Sequence, residues 1–221
     1  MAHQRHICVL VSGGLDSAVL LSRLAHPRRR LLPLYVRCGL RWEAAEVEWL
    51  RRLLRAVRTP QMEPLCLLDV PLQPLYQGHW SLTGRGVPSA RSADAAVYLP
   101  GRNLLLITPA AIYAARHGIS EIALGTLAGN PFGDAQPDFF RQVGRCMSQA
   151  LARPIRVTAP LRRLSKAALI ASMPGEPLHL TYSCIQPSGR RHCGRCNKCA
   201  ERRRAFRRAG VPDRTVYAAN R

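Results

Sequence analysis

Two groups of residues in this chain have the types and spacing to do chemistry. The first is Cys184, Cys193, Cys196 and Cys199, spaced C-x8-C-x2-C-x2-C within sixteen residues. Thiolates two residues apart can bite one metal ion through a tight turn, and Gly194 helps that turn form. Four thiolates close a tetrahedral site, which is structural rather than catalytic, and zinc suits it best. An iron–sulfur cluster is the alternative for a C-x2-C-x2-C run. His192 is adjacent and could be a ligand, but the four cysteines already suffice. Arg190, Arg191, Arg195 and Lys198 flank the site and would offset thiolate charge. The other four cysteines, Cys8, Cys38, Cys66 and Cys146, lie far apart. That asymmetry indicates a metal site in a reducing compartment rather than a disulfide framework.

The second group is the loop Ser12-Gly13-Gly14-Leu15-Asp16-Ser17. It follows the short apolar run ICVLV and opens a segment, LDSAVLLSRLA, of helical spacing. Gly13 and Gly14 can take positive φ and let a phosphate approach the backbone. Successive N–H groups there form an anion-binding nest, and a helix N-terminus adds partial positive charge. Ser12 and Ser17 can donate hydroxyl hydrogen bonds. Asp16 cannot itself attract phosphate, so a Mg²⁺-related or loop-shaping role suits it better. The glycines alone would also fit an ordinary turn with Asp16 or Ser17 capping a helix. The chain contains neither GxxxxGK[ST] nor GxGxxG, which removes the Walker A and dinucleotide-binding readings.

The elements that must position these groups alternate. Strands are expected near 7–11, 31–37, 65–70, 120–125 and 155–158. Helices are expected from residue 15, at 42–58, 102–117, 136–152 and 164–172, and at about 196–209. Pro109 would kink the third helix or mark its first turn, and Pro174 would end the 164–172 helix. Residues 71–100, rich in Pro, Gly and Ser, read as one long loop, a length that is usually functional or disordered. The pattern predicts an α/β fold with a doubly wound parallel sheet. It divides into a nucleotide-binding domain at 1–175 and a small C-terminal zinc-binding module with a basic helix at 176–221.

Of the 221 residues, 47% are hydrophobic, enough for one globular core, and the formal charge is +20. The arginines that supply it are scattered, as at Arg28 to Arg30, Arg51, Arg52, Arg55, Arg58 and Arg202 to Arg204, with no segment interleaved with aromatics. A nucleic-acid partner is therefore possible but not favoured. No apolar run was expected to reach the roughly 18 residues of a membrane span, and the start does not read as a signal peptide. A cytoplasmic protein without membrane contact is expected.

The full string SGGLDS resembles the PP-loop of the ATP pyrophosphatases, whose members cleave ATP to AMP and pyrophosphate by adenylating a substrate. Two further strings narrow the resemblance: Tyr98-Leu99-Pro100-Gly101-Arg102-Asn103-Leu104 before an apolar helix, and Ser183-Cys184 with His192-Cys193-Gly194-Arg195-Cys196-Asn197-Lys198-Cys199 and Glu201-Arg202. Together they resemble the 7-cyano-7-deazaguanine synthase family from about residue 5 to 207. The resemblance implies an ATP-dependent carbon–nitrogen ligase. It would adenylate the carboxylate of 7-carboxy-7-deazaguanine, accept ammonia to give the amide, and use a second ATP to reach the nitrile. It implies ATP, Mg²⁺ and Zn²⁺ as cofactors and a homodimer. By position, Val11, Ser12, Gly13, Gly14, Leu15, Asp16, Ser17, Ala18, Val19, Leu20 and Leu21 would line ATP, together with Gly101, Arg102 and Asn103. Asp16, Ser17, Arg102 and Lys166 would carry catalysis, Lys166 facing phosphate.

The departures from the family pattern concentrate on the substrate side. A usual Gly-Gln-x-His arrangement is Gly39-Leu40-Arg41-Trp42 here, and a usual Gly-Tyr-Pro-Asp-Cys-Arg run is replaced by Asn130-Pro131-Phe132-Gly133-Asp134-Ala135-Gln136-Pro137-Asp138. Gly39, Arg41, Asn130, Asp134 and Asp138 are the candidate substrate contacts that remain. Loss of polar groups from a discriminating site can change the substrate. Nitrile synthesis is thus the first expectation. Coupling of the deazapurine carboxylate to another amine, such as one on a protein acceptor, is the second. Modification of tRNA and a non-catalytic scaffold are further alternatives.

Overall fold

The computed structural model describes residues 4–173 and 175–218. Pro174, expected to end a helix, lies outside the described residues. Five strands form one parallel sheet: β1 (Arg5–Leu10), β2 (Arg29–Arg37), β3 (Cys66–Asp69), β4 (Glu121–Ala123) and β5 (Arg156–Thr158), in the order β3-β2-β1-β4-β5. The chain moves outward from β1 to β2 and β3, then returns to the other side of β1 for β4. The strand order therefore reverses between β1 and β4, and a crevice opens beyond their carboxyl ends.

Alternation along β1 shows why both faces are covered. Cys8 and Leu10 face a core with Ile107, Ala110 and Ala111 of α4 (Arg102–Arg116) and Phe140 and Val143 of α5 (Pro137–Ala150). Ile7, Val9 and Val11 face a second core with Val19 and Leu20 of α1 (Leu15–Leu24), Leu50 of α2 (Glu43–Ala56) and Leu169 of α6 (Lys166–Ala171). A strand buried on both sides reads as continuous apolar sequence, as ICVLV does. The doubly wound fold is the one the sequence predicts.

Residues 71–100 contain more structure than a loop. His79 caps the short helix α3 (Trp80–Thr83), its Nδ1 accepting from the Ser81 amide, and Gly84 at φ +72° ends it; residues 94–97 form a 3-10 turn. The local signals were weak because α3 is a single turn held by Trp80 against Trp42, whose rings stack 5.7 Å apart. Pro109 sits inside α4 rather than in its first turn. Residues 94–116 do have the length and a mean hydropathy of 1.2 that suit a membrane span. That stretch is the 3-10 turn plus a 15-residue helix interrupted at Gly101, φ +67°, and α4 packs on β1, β2 and β4.

The C-terminal residues share these cores. Tyr182 and the four clustered cysteines join the α4 side, while Ala205 and Phe206 of α7 (Asn197–Ala209) join the α1 side. Arg202, one of the scattered arginines of the sequence, is 1% exposed. It donates to Thr181 Oγ1 at 2.7 Å, Leu178 O at 2.8 Å and Thr215 Oγ1 at 2.8 Å, so it knots the tail together. A guanidinium out of water needs such a set of acceptors.

Candidate functional site

The crevice at the switch point is a cavity of about 520 Å³, within the range of roughly 300–1,000 Å³ usual for small-molecule sites. Its floor is the glycine loop. Gly13 has φ +76°, and an added Cβ would lie 3.0 Å from the Leu50 Cβ, so only glycine fits there. The Gly13 carbonyl accepts from the Tyr182 amide at 2.8 Å, which ties the loop to the C-terminal segment. Ser12 N donates to Ser17 Oγ at 2.9 Å, and the two hydroxyls lie 3.3 Å apart. The amides of Leu15, Asp16 and Ser17, in the first turn of α1, have no acceptor among the described residues. This is a donor-rich helix start suited to an anion.

Asp16 projects from that turn towards Lys166. Its Oδ1 is shielded from water and unpartnered, and burial raises the carboxyl above the usual range against the pull of the Lys166 ammonium. Gly125, just past β4, packs against it; a Cβ there would be 3.1 Å from the Asp16 Cβ. Thr126 Oγ1, also in the wall, is likewise buried and unpartnered. A carboxylate oxygen and a hydroxyl left open beside phosphate donors fit a hydrated Mg²⁺, which takes oxygen ligands.

Lys166 donates to Glu201 Oε1 at 2.5 Å and Lys198 to Glu201 Oε2 at 2.7 Å. All three line the cavity. Burial opposes the Lys166 charge, but Asp16 and Glu201 outweigh it and the ammonium pKa is raised. Burial likewise opposes the Glu201 charge, and the two lysines overcome it, taking its carboxyl down to about 2. The Lys166 ammonium is therefore charged beside the glycine loop. Sequence reasoning placed Lys198 beside the thiolates and gave neither Lys198 nor Glu201 a place at the glycine loop. Their spacing from Cys196 and Cys199 was the available signal, because α7 starts at the cysteine turn and carries both into the cavity.

The four cysteine sulfurs lie within 4.8 Å of one another and are all buried. Two separations, Cys184–Cys196 at 3.9 Å and Cys193–Cys199 at 4.0 Å, are close to the edge of about 3.8 Å that a tetrahedral Zn–S bond of about 2.3 Å requires. Gly194 at φ +78° makes the turn. Backbone amides of Gln186 and Cys193 donate to Cys184, and those of Arg195 and Cys196 donate to Cys193. The cluster fits a closed tetrathiolate metal site. His192 stands outside it, its Nε2 accepting from the Ser183 amide at 3.1 Å.

The other sequence candidates divide. Val11, Ser12, Gly14, Leu15, Asp16, Ser17, Arg102, Asn103 and Lys166 line the cavity. Ala18, Val19, Leu20 and Leu21 do not; they form the buried face of α1. Gly101 is the left-handed cap of α4. Asn130 and Asp134 line the cavity, and one side-chain atom of each is engaged: Asn130 Oδ1 accepts from Phe132 N at 3.1 Å, and Asp134 Oδ2 from Asn103 N at 2.9 Å. Gly39, Arg41 and Asp138 lie outside the wall. Gly39 N donates to Glu43, Arg41 runs over Gly84, and Asp138 pairs with Arg141 at 2.9 Å in the open. Trp42, Glu46, Tyr35 and Tyr182 line the cavity and were missed as site residues. Tyr35, Trp42 and Tyr182 are aromatic side chains of kinds that ordinarily read as core, and Glu46 is an acidic residue in the first turn of a helix.

Comparison with known proteins agrees with this geometry. The chain matches the family described as "Queuosine biosynthesis protein QueC" over residues 6–210. It is 34% identical to the 7-cyano-7-deazaguanine synthase of Anaeromyxobacter sp. (strain Fw109-5), covering 95% of this chain and 94% of that one. It is 31% identical to that of Methanothrix thermoacetophila, covering 96% and 98%. Among solved structures, a 4-thiouridine synthetase in complex with RNA and ATP superposes with a TM-score of 0.51 at 15% identity, covering 93% of this chain and 50% of that one, a likeness of fold. With its glycine loop at the switch point, its tetracysteine cluster and this extent of similarity, the chain belongs to the QueC family of queuosine biosynthesis proteins.

Proposed function

We propose that this protein is an ATP-dependent 7-cyano-7-deazaguanine synthase. The observation that carries the reading is one cavity with two chemically distinct ends. One end has free helix-start amides, Ser12, Ser17, Lys166 and Lys198; the other has Arg102, Glu46 and a set of aromatic rings. The first suits a triphosphate and the second a flat polar ring carrying a carboxylate.

The reaction balances as two activations. A substrate carboxylate oxygen attacks the α-phosphorus, pyrophosphate leaves, and ammonia then displaces AMP to give the amide. The amide oxygen attacks the α-phosphorus of a second ATP, pyrophosphate leaves again, and loss of AMP with two protons from nitrogen leaves the nitrile. Negative charge builds at the α-phosphate and on the departing pyrophosphate. The amides of α1 and the Ser12 and Ser17 hydroxyls would meet the first, and Lys166 and Lys198 the second. Donors fixed before the reaction stabilise such charge without reorganisation. Asp16 would hold Mg²⁺, which supplies further charge neutralisation. The four cysteines would hold zinc, whose role is to fix the start of α7.

A second reading keeps the adenylation and changes the amine. It is favoured by Leu40 and Trp42, which put apolar groups where the family resemblance gives polar ones. The test is incubation with ATP, Mg²⁺, ammonia and 7-carboxy-7-deazaguanine, read by mass spectrometry. A nitrile product supports the first reading. Pyrophosphate release that requires an added protein or amine supports the second, and absence of AMP in a metal-loaded protein overturns both. A homodimer is proposed with this function; Leu104 and Ile112, two turns apart on α4 and 43% and 46% exposed, are apolar groups it would cover.

A further inference from the structure

Glu46 is a polar group of the cavity that phosphate chemistry does not use. It projects from the first turn of α2, is 7% exposed, and lines the cavity wall. The Tyr35 hydroxyl donates to its Oε2 at 2.6 Å, and among the described residues nothing donates to Oε1. Arg102 enters the same cavity from the first turn of α4, and its Nη1 is shielded from water and unpartnered. Among the described residues no ion pair joins the two. Burial pushes the Glu46 carboxyl up to about 7, against the pull first of Arg102 and then of the Tyr35 hydrogen bond.

A buried acceptor and a buried donor that face one space without meeting are costly unless a ligand joins them. Such a ligand must offer an acceptor to Arg102 and donors to Glu46. Trp42, Trp80 and Tyr182 line the same cavity, which suits a flat ligand. A 2-amino-4-oxopyrimidine ring has this edge: a carbonyl oxygen, a ring N–H and an amino N–H side by side. Adenine has not, since its amino group neighbours a ring nitrogen that only accepts.

We infer that Glu46 and Arg102 together recognise the acceptor–donor–donor edge of an aminopyrimidinone ring, Glu46 accepting from the ring N–H and the amino group and Arg102 donating to the carbonyl. The inference rests on the proposed substrate class. It makes Glu46 a specificity residue, with the Trp42–Trp80 stack as the apolar wall beside the ring, and it explains how a chain without the family's polar pair after β2 keeps a polar reader. A carboxylate that meets two donors must be ionised, which the hydrogen bonds of the ligand favour.

The test is titration calorimetry on the whole metal-loaded protein in the presence of an ATP analogue that cannot be split between its α- and β-phosphates. The probes are 7-carboxy-7-deazaguanine and the same molecule without its 2-amino group. Wild type should bind the second at least about tenfold more weakly, because Glu46 is left with an unpaired acceptor. Glu46→Gln should bring that ratio below about threefold while affinity for the ATP analogue is unchanged. Equal binding of both probes by wild type overturns the inference and leaves the substrate reading standing. No binding of the deazaguanine, with the ATP analogue still bound, overturns the substrate reading and the inference with it. The wild-type comparison decides without the variant, so a poorly folding Glu46→Gln protein does not blur the result.

Discussion

The two ends of the cavity are built in different ways. The phosphate end is made of backbone and short-range motif: a six-residue loop, the first turn of α1, and lysines that a cysteine turn and a six-residue helix bring alongside. The ring end is made of single side chains from β2, α2, α3, α4 and the segment after α6, none of them neighbours in sequence. A phosphate carries the same charge and the same oxygens in every nucleotide, so one loop geometry serves many enzymes. A ring is told from another ring by where its donors and acceptors fall, and side chains from several elements can be changed one at a time to follow it. By the resemblance read from the sequence, the motif residues of the first end are kept and the departures concentrate towards the second.

The largest effect should come from the phosphate end. Asp16→Ala is expected to lower AMP formation by about three orders of magnitude, on the scale of losing a key electrostatic group, while far-ultraviolet circular dichroism is unchanged. Turnover within tenfold of wild type would show that the loop does not work as proposed. Metal removal should come next. Chelation is expected to lower Tm and also ATP affinity, because Lys198 and Glu201 hang on the helix that Cys196 and Cys199 begin. A protein that loses its metal with unchanged melting and ATP binding would separate the cysteine cluster from the cavity. Lys198→Met should reduce turnover by about ten- to a hundredfold with a smaller change in the KM for deazaguanine; an effect confined to that KM would place Lys198 at the wrong end.

At the ring end the expected effects are smaller and depend on pH. The Glu46 carboxyl faces Tyr35 from β2, Glu43 on its own helix and Arg102 from α4. Its pKa is raised from 4.5 to about 7 in the folded protein, so the folded state prefers it protonated. Its ionisation therefore costs no stability below about pH 4.5 and costs progressively more as pH rises through 7, reaching on the order of 3 kcal/mol. Glu46→Gln should accordingly raise Tm at pH 8 and leave it nearly unchanged at pH 5. A variant less stable than wild type at pH 8 would mean that the carboxylate is better paired than its geometry indicates. The smallest effect should be at Asp138, whose side chain is 71% exposed and, among the described residues, paired only with Arg141. Asp138→Ala is expected to change kcat/KM by less than about twofold; a tenfold loss would move the substrate to that helix end.

Much of the phosphate end was legible in the sequence because its determinants are local. Gly13, Asp16 and Ser17 are read within one loop, and the cysteine spacing is read within sixteen residues. The alternation of elements gave the sheet, since strands buried on both faces leave unbroken apolar runs. Gly39, Arg41 and Asp138 were expected near substrate by position in a motif, yet the α2 cap and exposed helix surface hold them outside the wall. The tail, expected as a separate module at 176–221, contributes Tyr182, Lys198 and Glu201 to the cavity and Arg202 to its own packing.

By itself, then, the sequence determined the doubly wound sheet, the anion-binding loop at the end of its first strand and the four-thiol cluster, because each is specified by spacing along the chain. Only the tertiary structure decided that Glu201 holds Lys166 and Lys198 beside that loop, and that Glu46 and Arg102 confront each other across a cavity without touching. Those arrangements depend on where β2, α2, α4 and α7 stand relative to one another. That is fixed by packing against a shared sheet, and no local pattern in the chain records it.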